Sequence, residues 1–416
     1  MKRPFHEATT AQLGAAYPFV ATSTLPGGGI FIGRDLFGGA FVHDPFELYR
    51  LGAITNPNML VLGQIGRGKS AFVKTYLYRH AAFGRRVVVL DPKGEYAPLA
   101  YALGSAPITI APGGSIRVNP LEVMRADAPG IDGVALRRAR LEILVAVTSA
   151  CLGRDLRPVE RCSLEVALDT ASATATPTIP AVVAALMAPD PDRSLAAGIT
   201  ASVARREGRD PALELRRLVS GDLQGMFDGE TSPGVDLSGR VVVLDLSALY
   251  RSSALGIVLA CARGALEASF RQGDAGQTIL VIDEAWAVLS NLAAGRFLQS
   301  SFKLARAFGV ANLAVVHRIS DLAGAADAGS AGRAIAEGLL DDCETIVCYA
   351  QPPSAIATTG DTLGLGERER QLLTGLGRGV ALWRVGTRSY VVEHRLAPTE
   401  RVIVDTDAQL LGGRAS

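Results

Sequence analysis

An apolar run, Asn58-Met-Leu-Val-Leu62, leads directly into Gly63-Gln64-Ile65-Gly66-Arg67-Gly68-Lys69-Ser70, and a strand followed by that spacing constrains the fold more than any other part of the chain. Gly63, Gly66 and Gly68 let the backbone turn its N–H groups inward around a polyphosphate, and the helix that follows adds the positive end of its dipole. Lys69 is expected to reach the β- and γ-phosphates and the Ser70 hydroxyl to ligate Mg²⁺. Gly63 to Ala71 is therefore a candidate cradle for ATP and its metal. Glycine is abundant, 45 of 416 residues, so a glycine pattern alone says little; lysine is rare, five against thirty-seven arginines, and a lysine directly after Gly68 is the informative part. Phe72, Val73, Tyr76, Leu77 and Ala81 then recur at helical spacing until Gly84 ends the helix.

Further runs of Val, Ile and Leu closed by a polar residue read as strands: Arg86–Asp91, Arg240–Asp245, Thr278–Asp283, Ala311–His317, Glu344–Tyr349 and Val380–Val385. Continuously apolar strands separated by helical stretches predict a mainly parallel sheet covered on both faces, an α/β P-loop core with nucleotide at the strand C-termini.

Strand signals vanish from about Leu121 to Asp236. Leu136, Ile143, Leu144, Val147 and Cys151 follow helical spacing, as do Val159, Cys162 and Val166 behind Pro158, and Thr178-Ile-Pro180 opens another helix with a capping residue. We therefore expect residues 58–120 and 237–416 to form the ATPase body, residues 121–236 an all-helical insertion, and residues 1–57 a segment holding a β-hairpin between Gly28 and Phe46.

Hydrolysis needs a carboxylate for the metal and a second group to orient or deprotonate water. Thr278-Ile-Leu-Val-Ile-Asp283-Glu284-Ala-Trp286 supplies both, with Asp283 expected to hold Mg²⁺ through its water shell and Glu284 to polarise the attacking water. Asp91-Pro-Lys-Gly-Glu95-Tyr96 closes another strand, where Asp91 and Glu95 are candidates to assist that water or contact the nucleotide; Pro92 and Gly94 also suit a plain β-turn.

Composition sets outer bounds. Lys+Arg of 42 against Asp+Glu of 41 gives a net charge of +1, so bulk charge points to neither nucleic acid nor an anionic membrane as partner. Runs such as Arg137-Arg138-Ala139-Arg140 and Arg205-Arg206 are either pore-lining patches or solvated helix faces. The five cysteines and five histidines form no metal-ligand pattern, and the cysteines read as buried thiols in a reducing compartment. With no apolar run near the roughly 20 residues that span a bilayer and no signal-peptide core in MKRPFHEATT, the expectation is a cytoplasmic protein that docks peripherally on a membrane complex.

The motifs occur in a specific order: the phosphate loop, DPKGEY, Val118-Asn-Pro-Leu121, the helical stretch, Gly221–Ser232 (GDLQGMFDGETS), VIDEAW, and Gly375–Gly386 (GLGRGVALWRVG). Over about residues 28 to 407 this set resembles the ATPase domain of the type IV secretion and conjugative-transfer traffic ATPases of the VirB/TraC kind, in the HerA/FtsK branch of P-loop motors. The large N-terminal domain common in that family lies outside the residues that carry the resemblance. The resemblance implies a RecA-like core, a ring of six subunits, nucleotide at subunit interfaces and an arginine donated in trans, for which Arg306 and Arg384 are the candidates. Many relatives carry a Gln after the strand that follows the acidic motif; this chain has His317-Arg318, which makes His317 a candidate γ-phosphate sensor. The implied activity is ATP hydrolysis driving assembly of, or transfer through, a membrane secretion complex. Its rivals are a HerA/FtsK-type motor acting directly on DNA, possible DNA or nucleoprotein substrates included, and a nucleotide-bound structural subunit that does not hydrolyse.

Overall fold

The apolar runs become the strands of one sheet. A computed structural model describes residues 25–36, 39–122, 132–173, 176–250, 252, 254–271, 276–285, 295, 298–299, 302–303, 305–319 and 331–404. Its strands are β1 (Ile30–Asp35), β2 (Ala40–His43), β3 (Met59–Leu62), β4 (Arg86–Asp91), β5 (Ile108–Thr109), β6 (Val241–Asp245), β7 (Thr278–Ile282), β8 (Val310–Val316), β9 (Thr345–Tyr349), β10 (Val380–Val385) and β11 (Arg388–His394). Among the described residues they form an 11-stranded sheet in the order β2-β1-β11-β10-β9-β3-β8-β7-β4-β6-β5. The block from β9 to β5 is parallel throughout, whereas β10, β11, β1 and β2 pair antiparallel. The N-terminal hairpin β1–β2 is thus the outer edge of the main sheet, paired through β1 to β11.

Both faces of the parallel block are dry, which is why its strands carry unbroken apolar runs. Leu60, Leu62, Val88, Leu90, Leu280 and Ile282 point into one core, and Met59, Val61, Val87, Val89, Ile279 and Val281 into the other. The second core is closed by Phe72, Val73, Tyr76 and Leu77 of the helix Lys69–Ala82 and by the N-terminal hairpin. Arg79 of that helix pairs with Glu400 at 2.6 Å and donates to the Arg395 carbonyl at 2.6 Å, which ties the C-terminal residues to the same face.

The first core is closed by helices Gly133–Leu152, Pro158–Ala171, Ile179–Met187, Arg209–Ser220 and Leu255–Arg271. Thr178 caps its helix by accepting from the Ala181 N–H, and Asp132 caps the helix at Gly133 by accepting from the Val134 N–H. Leu144, Leu164, Leu186 and Leu218 share one continuous core with the strand residues Val242 and Leu244, so the helical stretch between β5 and β6 packs as part of the same body.

Two features of the last strands matter for the site. The sheet is mainly parallel, as the apolar runs predict, and within it β10 runs antiparallel to β9. The run Arg388–His394, which alternates polar and apolar residues, was not recognised and forms β11 in a hairpin with β10.

Candidate active site

Strand order fixes the site. β8 lies between β3, which carries the phosphate loop, and β7, which carries the acidic pair, so the C-terminal ends of β3, β8, β7 and β4 stand side by side. In a parallel sheet that edge is where ligands bind.

The loop after β3 needs glycine for two separate reasons. Gly63 has φ 147°, and a Cβ there would sit 2.4 Å from Cβ of Tyr349 at the end of β9. Gly66 has φ 78° but open space around it. The loop is pinned from both sides: the Gly63 N–H donates to the His317 carbonyl at 3.3 Å, the Gln64 N–H to the Ala350 carbonyl at 3.1 Å, and the Gly379 N–H to the Arg67 carbonyl at 2.9 Å. Lys69, 5% exposed, folds its ammonium over the loop and donates to the carbonyls of Gly63 and Gln64. Arg67 donates to the Gln64 side chain at 3.2 Å, Ile65 and Gly66 are exposed, and Ser70 is half-buried on the first turn of the helix with Ala71 after it.

Across β8, Asp283 and Glu284 are 4% and 2% exposed. Asp283 accepts from the Glu284 N–H at 2.9 Å, and the Ala285 N–H donates to the Val315 carbonyl at 3.2 Å. Glu284 has φ 52°, the one positive φ at a non-glycine among the described residues, a backbone strain of the kind that functional sites retain. His317 Nε2 lies 2.9 Å from Glu284 Oε1, and Lys93 Nζ makes an ion pair with the same oxygen. A His nitrogen facing a carboxylate donates, so Nε2 carries the proton; Nδ1 is buried without a hydrogen-bond partner.

The residues fit a nucleotide with a divalent cation. The loop turns at glycines where a Cβ would strain or clash, and the sheet edge beside it carries the buried carboxylates Asp283 and Glu284. Burial pushes the Asp283 carboxyl up to about 6, against Lys93, which lowers it, and with Glu284 and Asp91, which raise it further. Ser70 and Asp283 are the residues that would hold Mg²⁺. A cleft of about 610 Å³ opens on the site, lined by Gln64, Ile65, Gly66, Arg67, His317, Arg318 and Arg378.

The other candidates fall elsewhere. Asp91 is fully buried and accepts from the N–H groups of Lys93, Gly94 and Tyr96 at 3.1, 2.9 and 2.9 Å, so its carboxylate shapes its own loop instead of facing the cleft. Glu95 is half-buried and acts on the buried Lys74 ammonium. Arg306 is exposed just ahead of β8 and donates to the Thr55 carbonyl at 3.3 Å, at the end of the sheet away from the cleft. Arg384 lies at that same far end because β10 is antiparallel; it pairs in register with Ile346 near the start of β9, and its guanidinium donates to the Leu363 carbonyl. The same reversal brings the start of β10, with Arg378 and Gly379, to the phosphate loop. Trp286 lies outside the described residues.

Sequence reasoning missed Arg378 and Lys93. Arg378 was hidden by the strand direction. Lys93 was visible in principle: it is one of only five lysines, and Lys69, Lys74 and Lys93 sit within or beside this site while the surface cations are almost all arginine.

Comparisons with known proteins bear on the fold. A family model described as an AAA-like domain matches residues 52–118. Among solved structures, VirB4 of Thermoanaerobacter pseudethanolicus superposes with a TM-score of 0.68 at 25% identity, covering 90% of this chain and 98% of that one. The bacterial conjugative coupling protein TrwB gives 0.57 at 15% identity, covering 82% of this chain and 85% of that one, and its complex with ADP and Mg²⁺ gives 0.55 at 15%. No curated protein matches. The resemblance to the type IV secretion and conjugation ATPases holds, and the fold is a RecA-like α/β P-loop core.

Proposed function

We propose that this chain hydrolyses Mg-ATP to drive assembly of, or substrate transfer through, a type IV secretion or conjugation apparatus. The observation that carries the reading is Glu284: a strained, buried carboxylate held by His317 and Lys93, with one strand, β8, between it and the strand that carries the phosphate loop. A chain that only stored nucleotide would have no use for a carboxylate maintained there.

In this reading the loop N–H groups from Gly63 to Ala71 and the Lys69 ammonium bind the phosphates, Ser70 and Asp283 hold the metal, Glu284 accepts a proton from the attacking water, and His317 keeps Glu284 oriented toward the γ-phosphate. Bound Mg²⁺ neutralises charge on the phosphate oxygens. Six copies form a ring with an arginine supplied in trans. Arg306 is favoured over Arg384 because it is the more exposed of the two; each guanidinium donates to a carbonyl of its own chain, Thr55 and Leu363. No helix among the described residues is long and apolar enough to cross a membrane. Attachment at the cytoplasmic face through partner subunits of the secretion complex is part of the same proposal.

The competing reading is a motor acting directly on DNA. Most of the arginine runs argue against it: Arg137 pairs with Asp169, Arg138 with Glu142 and Arg206 with Glu207, and Arg140 is buried against the Leu121 carbonyl, while Arg205 is exposed. Cations neutralised in this way are poor phosphate contacts. The test is the ATPase rate of the purified protein with and without single- and double-stranded DNA at two salt concentrations. Rates indifferent to DNA support the secretion role, and strong salt-sensitive stimulation by duplex would replace it with translocation on DNA.

A further inference from the structure

We infer that Lys93 is a positioning residue for Glu284, holding its carboxylate aimed for the hydrolytic step; this rests on the ATPase reading above. The observations start with the turn that presents it. Three backbone N–H groups of that turn, those of Lys93, Gly94 and Tyr96, converge on the buried Asp91 carboxylate, so the base of the Lys93 side chain is fixed to the end of β4. β4 pairs with β7, and Leu90 stands opposite Ile282, so this turn and the acidic pair are neighbours by sheet register.

From that base the ammonium reaches Glu284 Oε1, the oxygen that His317 also contacts. It lies 3.5 Å from His317 Nε2 and 5.7 Å from the centroid of the Tyr250 ring, and its side chain is 20% exposed. Two donors from two different strand ends, β4 and β8, thus fix one oxygen of a carboxylate that is itself on a third, β7.

The energetics favour a functional pair. Glu284 is 2% exposed, and removing one side of such a buried ion pair leaves an uncompensated charge. Burial opposes the charge on Lys93, but the Glu284 carboxylate outweighs it and shifts the ammonium toward retaining its proton. Lys93 therefore acts through Glu284, and its loss should appear in turnover and spare nucleotide binding.

The experiment compares wild type, Lys93→Met, Lys93→Arg, Glu284→Gln and the double variant Lys93→Met/Glu284→Gln. For each, kcat and KM for Mg-ATP and equilibrium binding of a fluorescent ATP analogue are measured. Lys93→Met should lower kcat by about 10- to 100-fold, as loss of a supporting shell typically does, with KM and affinity within about twofold. Lys93→Arg should recover part of the loss, and Lys93→Met should change nothing further in the Glu284→Gln background. An unchanged or raised kcat in Lys93→Met overturns the proposal, as does a change confined to KM and affinity, which would make Lys93 a phosphate ligand.

A second readout is independent of turnover. Labelling the five lysines at Cε gives a spectrum simple enough to identify the Lys93 signal by its loss in Lys93→Met. That signal should move in Glu284→Gln; if it stays put, the pair does not exist in solution. Wild-type protein that binds ATP without turnover would instead overturn the ATPase reading, and with it the positioning role, even where the Lys93 signal moves as expected.

Discussion

The Gly63 N–H donates to the main-chain carbonyl of His317, 3.3 Å away, so the residue that opens the phosphate loop is hydrogen-bonded to the residue whose ring reaches Glu284. The phosphate loop and the acidic pair are therefore joined through one residue at the end of β8.

This relationship makes His317 a support for Glu284 whose loss should be kinetic. His317→Ala should reduce kcat by about 10- to 100-fold while leaving ATP affinity near wild type, and His317→Gln, which keeps a donor, should retain more activity. Steady-state kinetics with parallel binding measurements check it; an affinity loss as large as the kcat loss would show that His317 contacts the nucleotide instead.

Loop geometry separates two glycines that look alike in the motif. Gly63→Ala must relieve both a φ of 147° and an overlap with Tyr349, and should cost about 2–3 kcal/mol of stability together with nucleotide binding. Gly66→Ala meets no atom within 4 Å and carries only the strain of φ 78°, about 1 kcal/mol. Denaturant midpoints of the two variants decide: equal losses would mean that contact with β9 does not restrict the loop.

Histidines buried behind the phosphate-loop helix should make the protein acid-sensitive well above the carboxylate range. Burial lowers His43 to about 4 and His80 further, and neither ring nitrogen of His80 has a hydrogen-bond partner. The sign follows from linkage: above the unfolded value of about 6.5 both states are neutral and nothing is lost, and as pH falls below it the unfolded chain binds protons that the folded one refuses. Each such histidine removes about 1.4 kcal/mol per pH unit. Asp283, held up to about 6, works in the opposite direction and offsets one of them. His80→Leu should therefore flatten the decline in stability between pH 6.5 and 5 by about 1.4 kcal/mol per pH unit, measured by urea unfolding. An unaltered slope would mean that His80 is protonated in the folded protein.

Much of this site was legible because its signals are local. Gly63 to Ser70 fixes a backbone shape, and Asp283-Glu284 follows a strand whose apolar residues are buried on both faces. What escaped was set by long-range pairing. Nothing in the residues from Val380 to Val385 says that β10 runs antiparallel, and that one reversal moves Arg384 away from the cleft and brings Arg378 to it. In DPKGEY the carboxylates drew notice as chemical groups, yet Asp91 is occupied by its own turn; the cation between them is the residue that reaches Glu284. The insertion of β8 between β3 and β7, which places His317 beside Glu284, is likewise a matter of sheet order that periodicity cannot express.

The most direct measurement pairs ATP binding with Mg²⁺-dependent turnover in wild type, Lys69→Ala and Glu284→Gln. We expect wild type to hydrolyse ATP, Lys69→Ala to lose binding and turnover together, and Glu284→Gln to bind ATP as wild type does while its turnover falls by at least about 100-fold. Glu284→Gln turning over ATP at the wild-type rate would contradict the assignment of the hydrolytic site.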